Sequence, residues 1–322
     1  MNYREIGKTG IKVSEISLGC WTLGGKTWNE GISTGWEDVN EDEVIEAVNY
    51  AVDRGVNHFD NADVYGNGRA ERLLAKALGK RNKDVIIATK VGHFKGTAEH
   101  AYEPQHIVHQ CEQSLINLKR EYIDIYYFHH GDFGERDRYL HSAIDVMSKL
   151  KKQGKIRAIG LSAYSQNDFL RLIDEINPDV IQSWANIFDT QFIDNDSKVA
   201  KLIKEKNITF VAFSPLAKGL LLGKYSSKNP PKFSNGDHRK NDEKFQIEFL
   251  EEIEPKIEKL KQRFGRLTRD LARVALQYIL SFEQVSCVIP GFRNKDQVEV
   301  NLWGWDKSLT QEDIAYIKEV FK

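Results

Sequence analysis

Short apolar runs rich in β-branched and aromatic residues alternate with longer stretches of helical period along almost the whole chain. The runs predict strands at Ile16–Leu18, Asn57–Asp60, Val85–Thr89, Ile123–Phe128, Ile156–Leu161, Val180–Gln182, Ile208–Phe213 and Val285–Ile289. Amphipathic segments predict helices, among them Glu41–Arg54, Arg69–Leu78, Pro104–Leu118, Leu140–Gln153, Gln166–Ile176, Ser197–Lys206 and Leu267–Ser281, with a solvated final helix at Gln311–Lys322. Eight strands separated by helices point to a closed parallel (β/α)8 TIM barrel, an α/β fold. A doubly wound sheet is the competing reading. It usually carries a glycine fingerprint after its first strand, and Leu18-Gly19-Cys20-Trp21-Thr22-Leu23-Gly24-Gly25 does not follow GxGxxG.

Three segments break the alternation. Tyr3–Val13, with the turn-like Lys8-Thr9-Gly10, reads as an N-terminal β-hairpin that closes the bottom of the barrel. Trp28–Asn40 reads as a long loop at the mouth of the first strand. Gly223–Asp242, polar and carrying Pro230, Pro231 and Gly236, reads as a mobile lid after the seventh strand.

The chain has 322 residues, 41% of them hydrophobic, which is ample for a barrel core. Its 46 Lys and Arg nearly cancel 47 Asp and Glu, so the summed field steers the protein toward neither nucleic acid nor anionic membrane, and a small ligand is the expected partner. No apolar run approaches the length of a membrane span, and MNYREIGKTG lacks the apolar core of a signal peptide. Cys20, Cys111 and Cys287 are too scattered for a zinc site or a disulfide framework and suit a reducing compartment. The expectation is a cytoplasmic protein, monomeric by default.

In a parallel barrel the reactive groups belong at the carboxyl ends of the strands. Asp60 ends the second predicted strand, Tyr65 follows in the loop Asn61-Ala62-Asp63-Val64-Tyr65-Gly66, Lys90 follows the third and His129 the fourth. A free phenol titrates near 10, so Tyr65 serves as an acid only where a cation such as Lys90 favours its phenolate. Asp60 would fix Lys90, and His129 would hold a substrate oxygen within proton-transfer distance. Such a set suits protonation of an alkoxide formed by hydride delivery to a carbonyl, which requires a cofactor.

Phe59-Asp60-Asn61-Ala62-Asp63-Val64-Tyr65-Gly66, Thr89-Lys90, Asp124-Ile125-Tyr126-Tyr127-Phe128-His129, Gly160-Leu161-Ser162, Phe213-Ser214-Pro215-Leu216 and Ile289-Pro290-Gly291-Phe292-Arg293, taken in order, resemble the successive motifs of the aldo-keto reductases, in the branch that also contains channel β subunits. The resemblance implies one barrel domain over residues 1–322 and an oxidoreductase that interconverts a carbonyl and its alcohol, with a small carbonyl, sugar or polyol substrate. It implies Tyr65 as general acid, tuned by Lys90 and Asp60, with His129 orienting the carbonyl. NADPH or NADP+ is the implied cofactor. Ser162 and Gln182 match positions that hold the carboxamide, Phe213 the aromatic under the nicotinamide, and Ser214, Leu216, Gly219 and Lys224 the pyrophosphate segment. Gly291, Arg293, Gln297 and Asn301 match the adenosine end, where the Arg293 fork suits a 2′-phosphate and a following helix N-terminus adds positive dipole. Trp21, Trp36 and His130 are the expected pocket residues.

The chain departs from the common pattern at Ala163, where many members have Asn, and at Asn61 and Ala70, which replace Thr and Ser. The first implies one carboxamide hydrogen bond fewer.

Other readings compete. His58, Asp60, Lys90, His129 and His130 suggest a metal-dependent barrel hydrolase, although Ser162, Gln182 and Ser214 are poor ligands, and period two makes His58 a buried neighbour of Asp60. His106 and His109 are a metal pair or two solvated helix residues, the latter favoured. Trp28 and Trp36 either cover substrate or anchor their loop, and Arg239 either closes over the cofactor or stays a solvated lid charge. A slow NADPH-binding redox sensor, like the channel β subunits, is the alternative function.

Overall fold

The computed structural model describes residues 1–29, 31–37, 39–234 and 237–322, so Gly236 of the predicted lid lies outside the described residues. The strands are β1 (Tyr3–Glu5), β2 (Lys12–Ser14), β3 (Leu18–Gly19), β4 (Lys26–Asn29), β5 (Ile32–Gly35), β6 (His58–Asp60), β7 (Ile86–Val91), β8 (Ile123–Phe128), β9 (Ile156–Ser162), β10 (Val180–Trp184), β11 (Thr209–Phe213) and β12 (Val285–Ile289). One eight-stranded sheet runs β3-β6-β7-β8-β9-β10-β11-β12, and every pairing in it is parallel. Parallel bridges Ile16↔Val288 and Gly19↔Gly291 join the last strand to the first, so the sheet closes into the expected barrel. All eight predicted strands occur. The first is displaced two residues toward its carboxyl end, Ile16 contributing only a bridge.

The interior is packed, as the alternation of inward side chains requires. Ala88, Ile125, Tyr127, Ala158, Val180, Val211, Cys287 and Ile289 fill it together with Ile6, Ile11 and Val13 from the antiparallel β1–β2 hairpin. The Gly7 N–H donates to Thr209 Oγ1 at the start of β11, 3.0 Å away, so the hairpin plugs the amino ends of the strands as expected. Each of its three buried aliphatic side chains contributes roughly 1.5–3 kcal/mol by leaving water.

The helices are α1 (Glu41–Asp53), α2 (Arg69–Leu78), α3 (Pro104–Leu118), α4 (Leu140–Lys152), α5 (Gln166–Ile176), α6 (Lys198–Lys206), α7 (Ile247–Phe264), α8 (Thr268–Leu280), α9 (Lys295–Leu302) and α10 (Gln311–Phe321). Their starts follow capping chemistry: Asn40, Ser165, Ser197, Asn294 and Thr310 each accept a hydrogen bond from a first-turn N–H. The buried face of each barrel helix packs on the outside of the strands in a continuous apolar shell.

Two segments differ from expectation. Trp28–Asn40 is not a plain loop, because β4 and β5 form an antiparallel hairpin from Lys26 to Gly35 over the mouth. The helix α7 was not expected; Pro255 interrupts its sequence pattern, yet Leu250, Ile253, Ile257 and Leu260 keep one buried stripe. Among the described residues no helix is long and apolar enough to cross a membrane.

Candidate active site

Strand geometry brings the four expected groups to one rim. Asp60 is the last residue of β6, Lys90 stands one residue from the end of β7, and His129 directly follows β8. Tyr65 comes from the loop after β6, where Gly66 (φ 58) passes so close to Gly24 that an added Cβ would overlap the Gly24 carbonyl. That close approach fixes where the loop carries Tyr65. The β4–β5 hairpin staples the same loop: Gly66 N–H donates to Thr27 Oγ1 at 2.9 Å, Trp28 N–H to Asn67 Oδ1 at 2.9 Å, and Asn67 Nδ2 to the Trp28 carbonyl at 3.0 Å.

Lys90 is 1% and Asp60 2% exposed. An ammonium has three N–H donors. Here they reach Asp60 Oδ1, the Asn61 carbonyl at 2.7 Å and Tyr65 Oη at 3.4 Å, while Gln182 Nε2 donates to Asp60 Oδ2 at 2.8 Å. The phenol accepts from the ammonium, leaving its own proton for another acceptor. Burial first, and then the Asp60 carboxylate, holds the Tyr65 phenol well above its ordinary range. Of the three contacts the one to the phenol is the longest, the ammonium being held more closely by Asp60 and the Asn61 carbonyl.

His129 is buried, and burial, followed by the neighbouring His93 and Lys90, lowers its pKa well below that of a free imidazole. It is thus neutral, its ring 5.9 Å from that of Tyr65 and its Nδ1 without a hydrogen-bond partner among the described residues. Trp21 lies on the other side, its ring 6.2 Å from Tyr65 and edge-on to Trp36. Both Trp rings contact His238 from the lid, at 4.4 and 4.5 Å. Trp36 is buried and anchors this cluster, with Arg239 and Arg293 over its ring at 4.9 and 5.7 Å. Arg239 is held by Asp237 instead of standing free as a solvated charge.

Several expected residues take other positions. The ring of His130, in the bend after β8, is held by the Gly92 carbonyl, 2.8 Å from Nε2; the ring beside His129 is that of His93, at 4.3 Å. Gln182 is buried and directs its amide N–H to Asp60. Asn301 is also buried and donates to the Gly291 carbonyl at 3.2 Å, while Gln297 Oε1 accepts from the Arg293 N–H at 2.8 Å; both brace the loop that carries Arg293. Lys224 is exposed, and the cation that spans to the lid is Lys218, paired with Asp242 at 2.6 Å. His106 is buried with Nε2 2.6 Å from the Phe94 carbonyl, unlike exposed His109, so the pair is not two solvated residues. His58 is fully buried beside Cys287, as expected, and burial lowers its pKa to about 4. Among the described residues no three His, Cys, Asp or Glu side chains gather as a metal would require.

The remaining rim suits an extended anionic dinucleotide. Ser162 ends β9, and the half-buried ring of Phe213 ends β11. After it, Ser214, Ala217, Lys218 and Gly219 all have positive φ (52, 47, 56 and 99), and the Ala217 and Gly219 N–H groups close turns onto the Ser214 and Leu216 carbonyls, both at 2.9 Å. The Asn294-capped start of α9 and the Arg293 guanidinium supply positive potential farther along. Sequence reasoning did not single out His93, Tyr164, Lys218 or His238. The signal for the first two was their position, three residues past Lys90 and two past Ser162.

The profile of the Aldo/keto reductase family matches residues 15–322. Aldo-keto reductase YhdN of Bacillus subtilis (strain 168) is 32% identical over 99% of this chain and 94% of its own. A probable voltage-gated potassium channel subunit beta of Arabidopsis thaliana is 29% identical over 94% of this chain and 90% of its own. The solved structure of the glycerol dehydrogenase AKR11B4 from Gluconobacter oxydans superimposes with a TM-score of 0.80 at 26% identity, covering 99% of this chain and 94% of that one.

Proposed function

Because the chain belongs to the aldo/keto reductase family, oxidoreductases that work with a nicotinamide cofactor, we propose that it interconverts a small aldehyde or ketone and its alcohol with NADPH or NADP+, Tyr65 being the acid and base. The observation that carries this reading is the meeting of the Tyr65 phenol, the Lys90 ammonium and the His129 imidazole at one rim of the barrel. When bound, the reduced dinucleotide supplies the hydride that the carbonyl carbon receives. Phe213 would carry the nicotinamide, Ser162 and Gln182 its carboxamide, Ser214, Leu216, Gly219 and Lys218 or Lys224 the pyrophosphate, and Gly291, Arg293, Gln297 and Asn301 the adenosine end. Arg293 is the reason to prefer a cofactor with a 2′-phosphate.

In the reduction, neutral His129 donates a hydrogen bond to the carbonyl oxygen and holds it toward Tyr65. The Tyr65 proton moves to that oxygen as negative charge develops, and the phenolate left behind is stabilised by the Lys90 N–H already directed at Oη. Asp60, held by Gln182, keeps Lys90 charged and in place. Oxidation of the alcohol runs the same proton path backwards.

Tyr65→Phe tests the assignment. Turnover with an aldehyde panel should fall to background while NADPH binding, followed by fluorescence titration, is retained; unchanged turnover removes Tyr65 as the acid. The likeness to a channel subunit beta favours a second reading, an NADPH-binding regulatory subunit with slow turnover. Slow steady-state loss of NADPH absorbance across the panel, with a membrane partner co-eluting, would select it.

A further inference from the structure

His93 and Tyr164 lie outside the proton path, yet they meet across the mouth. His93 follows Gly92 at the end of β7, its ring 4.3 Å from that of His129. Tyr164 follows β9, its ring stacked parallel to Trp184 and edge-on to Phe213, with centroids 6.4 and 6.3 Å away. His93 Nε2 and Tyr164 Oη are 3.0 Å apart, so one hydrogen bond spans from the acid side of the pocket to the Phe213 side. Tyr164 is 40% exposed, which leaves the pair reachable from solvent. The hairpin fixes the His93 end, because Asn29 Nδ2 donates to the His93 carbonyl.

The chemistry of the pair is uncharged and two-sided. Burial, then His130 and Lys90, lowers the His93 pKa to about 4, and a phenol is neutral at ordinary pH. The charged groups whose fields reach the two are Lys90 and Asp60, which neutralise one another. A neutral imidazole offers one donor and one acceptor, and a phenol offers both. An alcohol has the same dual character, whereas a carboxylate lacks the donor and finds no unpaired cation among these four groups. His129 stands between the pair and Tyr65, its ring 4.3 Å from that of His93 and 5.9 Å from that of Tyr65, so the pair borders the place where the proposed carbonyl would sit.

We propose that His93 and Tyr164 form a specificity-determining clamp that selects uncharged carbonyl compounds bearing hydroxyl groups near the reacting carbon, the class of small sugar aldehydes, ketoses and their polyols. The inference rests on the carbonyl reductase reading above. When such a substrate enters, its hydroxyl exchanges with the His93–Tyr164 hydrogen bond and is held by both partners. A deoxy substrate leaves that bond intact and gains nothing from it.

The test compares kcat/KM for glyceraldehyde and for propanal, with NADPH, in the full-length protein and in Tyr164→Phe, His93→Phe and His93→Gln. Tyr164→Phe and His93→Phe should each lower the glyceraldehyde value by about tenfold, mainly through KM, as expected for one lost hydrogen bond. Propanal should stay within about twofold. His93→Gln, which keeps a donor and an acceptor, should recover part of the loss. Parallel losses on both substrates, or no change on either, overturn the clamp. Should His93→Phe fail to fold by thermal melt, Tyr164→Phe decides alone, since it keeps the ring on Trp184. Absence of wild-type turnover with both aldehydes, despite bound NADPH, overturns the reductase reading first and the clamp with it.

Discussion

Replacing Lys90 by Met removes the one cation that holds three acceptors together. The loss strands Asp60, 2% exposed, as a buried carboxylate whose remaining donor is Gln182 Nε2. An uncompensated buried charge of this kind costs about 3–5 kcal/mol. The Asn61 carbonyl, buried and also deprived of its Lys90 donor, adds roughly 1–3 kcal/mol. The combined loss approaches the whole stability of many proteins. Urea unfolding followed by tryptophan fluorescence should therefore show Lys90→Met severely destabilised. The double variant Asp60→Asn with Lys90→Met, which removes the stranded charge, should regain several kcal/mol. A loss below about 1 kcal/mol for the single variant, or a double variant no more stable than the single, refutes the claim that Asp60 and Lys90 are an interdependent buried pair.

Gly66→Ala places a Cβ against the Gly24 carbonyl at a residue of positive φ, so it should cost about 1–3 kcal/mol and depress kcat further by shifting the adjacent Tyr65; thermal melts beside kinetics separate the two effects, and an unaffected kcat refutes the positioning argument. Arg293→Gln should weaken NADPH binding by about 1.5–3 kcal/mol while leaving NADH binding nearly unchanged, read by fluorescence titration; equal losses for both cofactors remove Arg293 as the 2′-phosphate residue. His58 is lowered by burial from 6.5 to about 4, so the unfolded chain takes up its proton first: the native state is favoured fully above the unfolded value and loses that advantage as pH falls from 6.5 toward 4. Between pH 7 and pH 5 this amounts to roughly 2 kcal/mol, and His58→Gln should flatten the decline in unfolding free energy, read from urea titrations, by that amount.

The barrel was legible because each strand is a short β-branched or aromatic run and each barrel helix follows in its own period; Ile123–Phe128 and Val285–Ile289 match their predicted bounds. Charge and a central Pro255 concealed α7, whose stripe becomes evident only once its four buried aliphatic residues are seen on one face. The β4–β5 hairpin was missed because Lys26–Asn29 and Ile32–Gly35 carry no clean alternation, and Trp28 projects into solvent at 63% exposure. At the site, Asp60, Lys90 and His129 could be placed from strand ends, and Tyr65 from the loop that follows one of them. The direction of the Tyr65 shift could not, because it comes from burial of the phenol and then from the Asp60 carboxylate, which only the folded barrel sets beside it. His130 was singled out and His93 passed over because sequence adjacency to His129 does not reveal which ring packs against it.

The N-terminal hairpin has a bearing on how the molecule is made. Arg4 donates to the Val285 carbonyl at 2.8 Å, and Ser286 Oγ to the Glu5 carbonyl at 3.1 Å, contacts that join residues 281 positions apart. On a ribosome, the hairpin segment must wait for one made 281 positions later before either is seated. Until then the hollow of the half-formed cylinder stays open at its base, and Ile6, Ile11 and Val13 remain available to wrong partners. Closure of this barrel accordingly couples two segments made 281 positions apart, the later one sealing against the earlier.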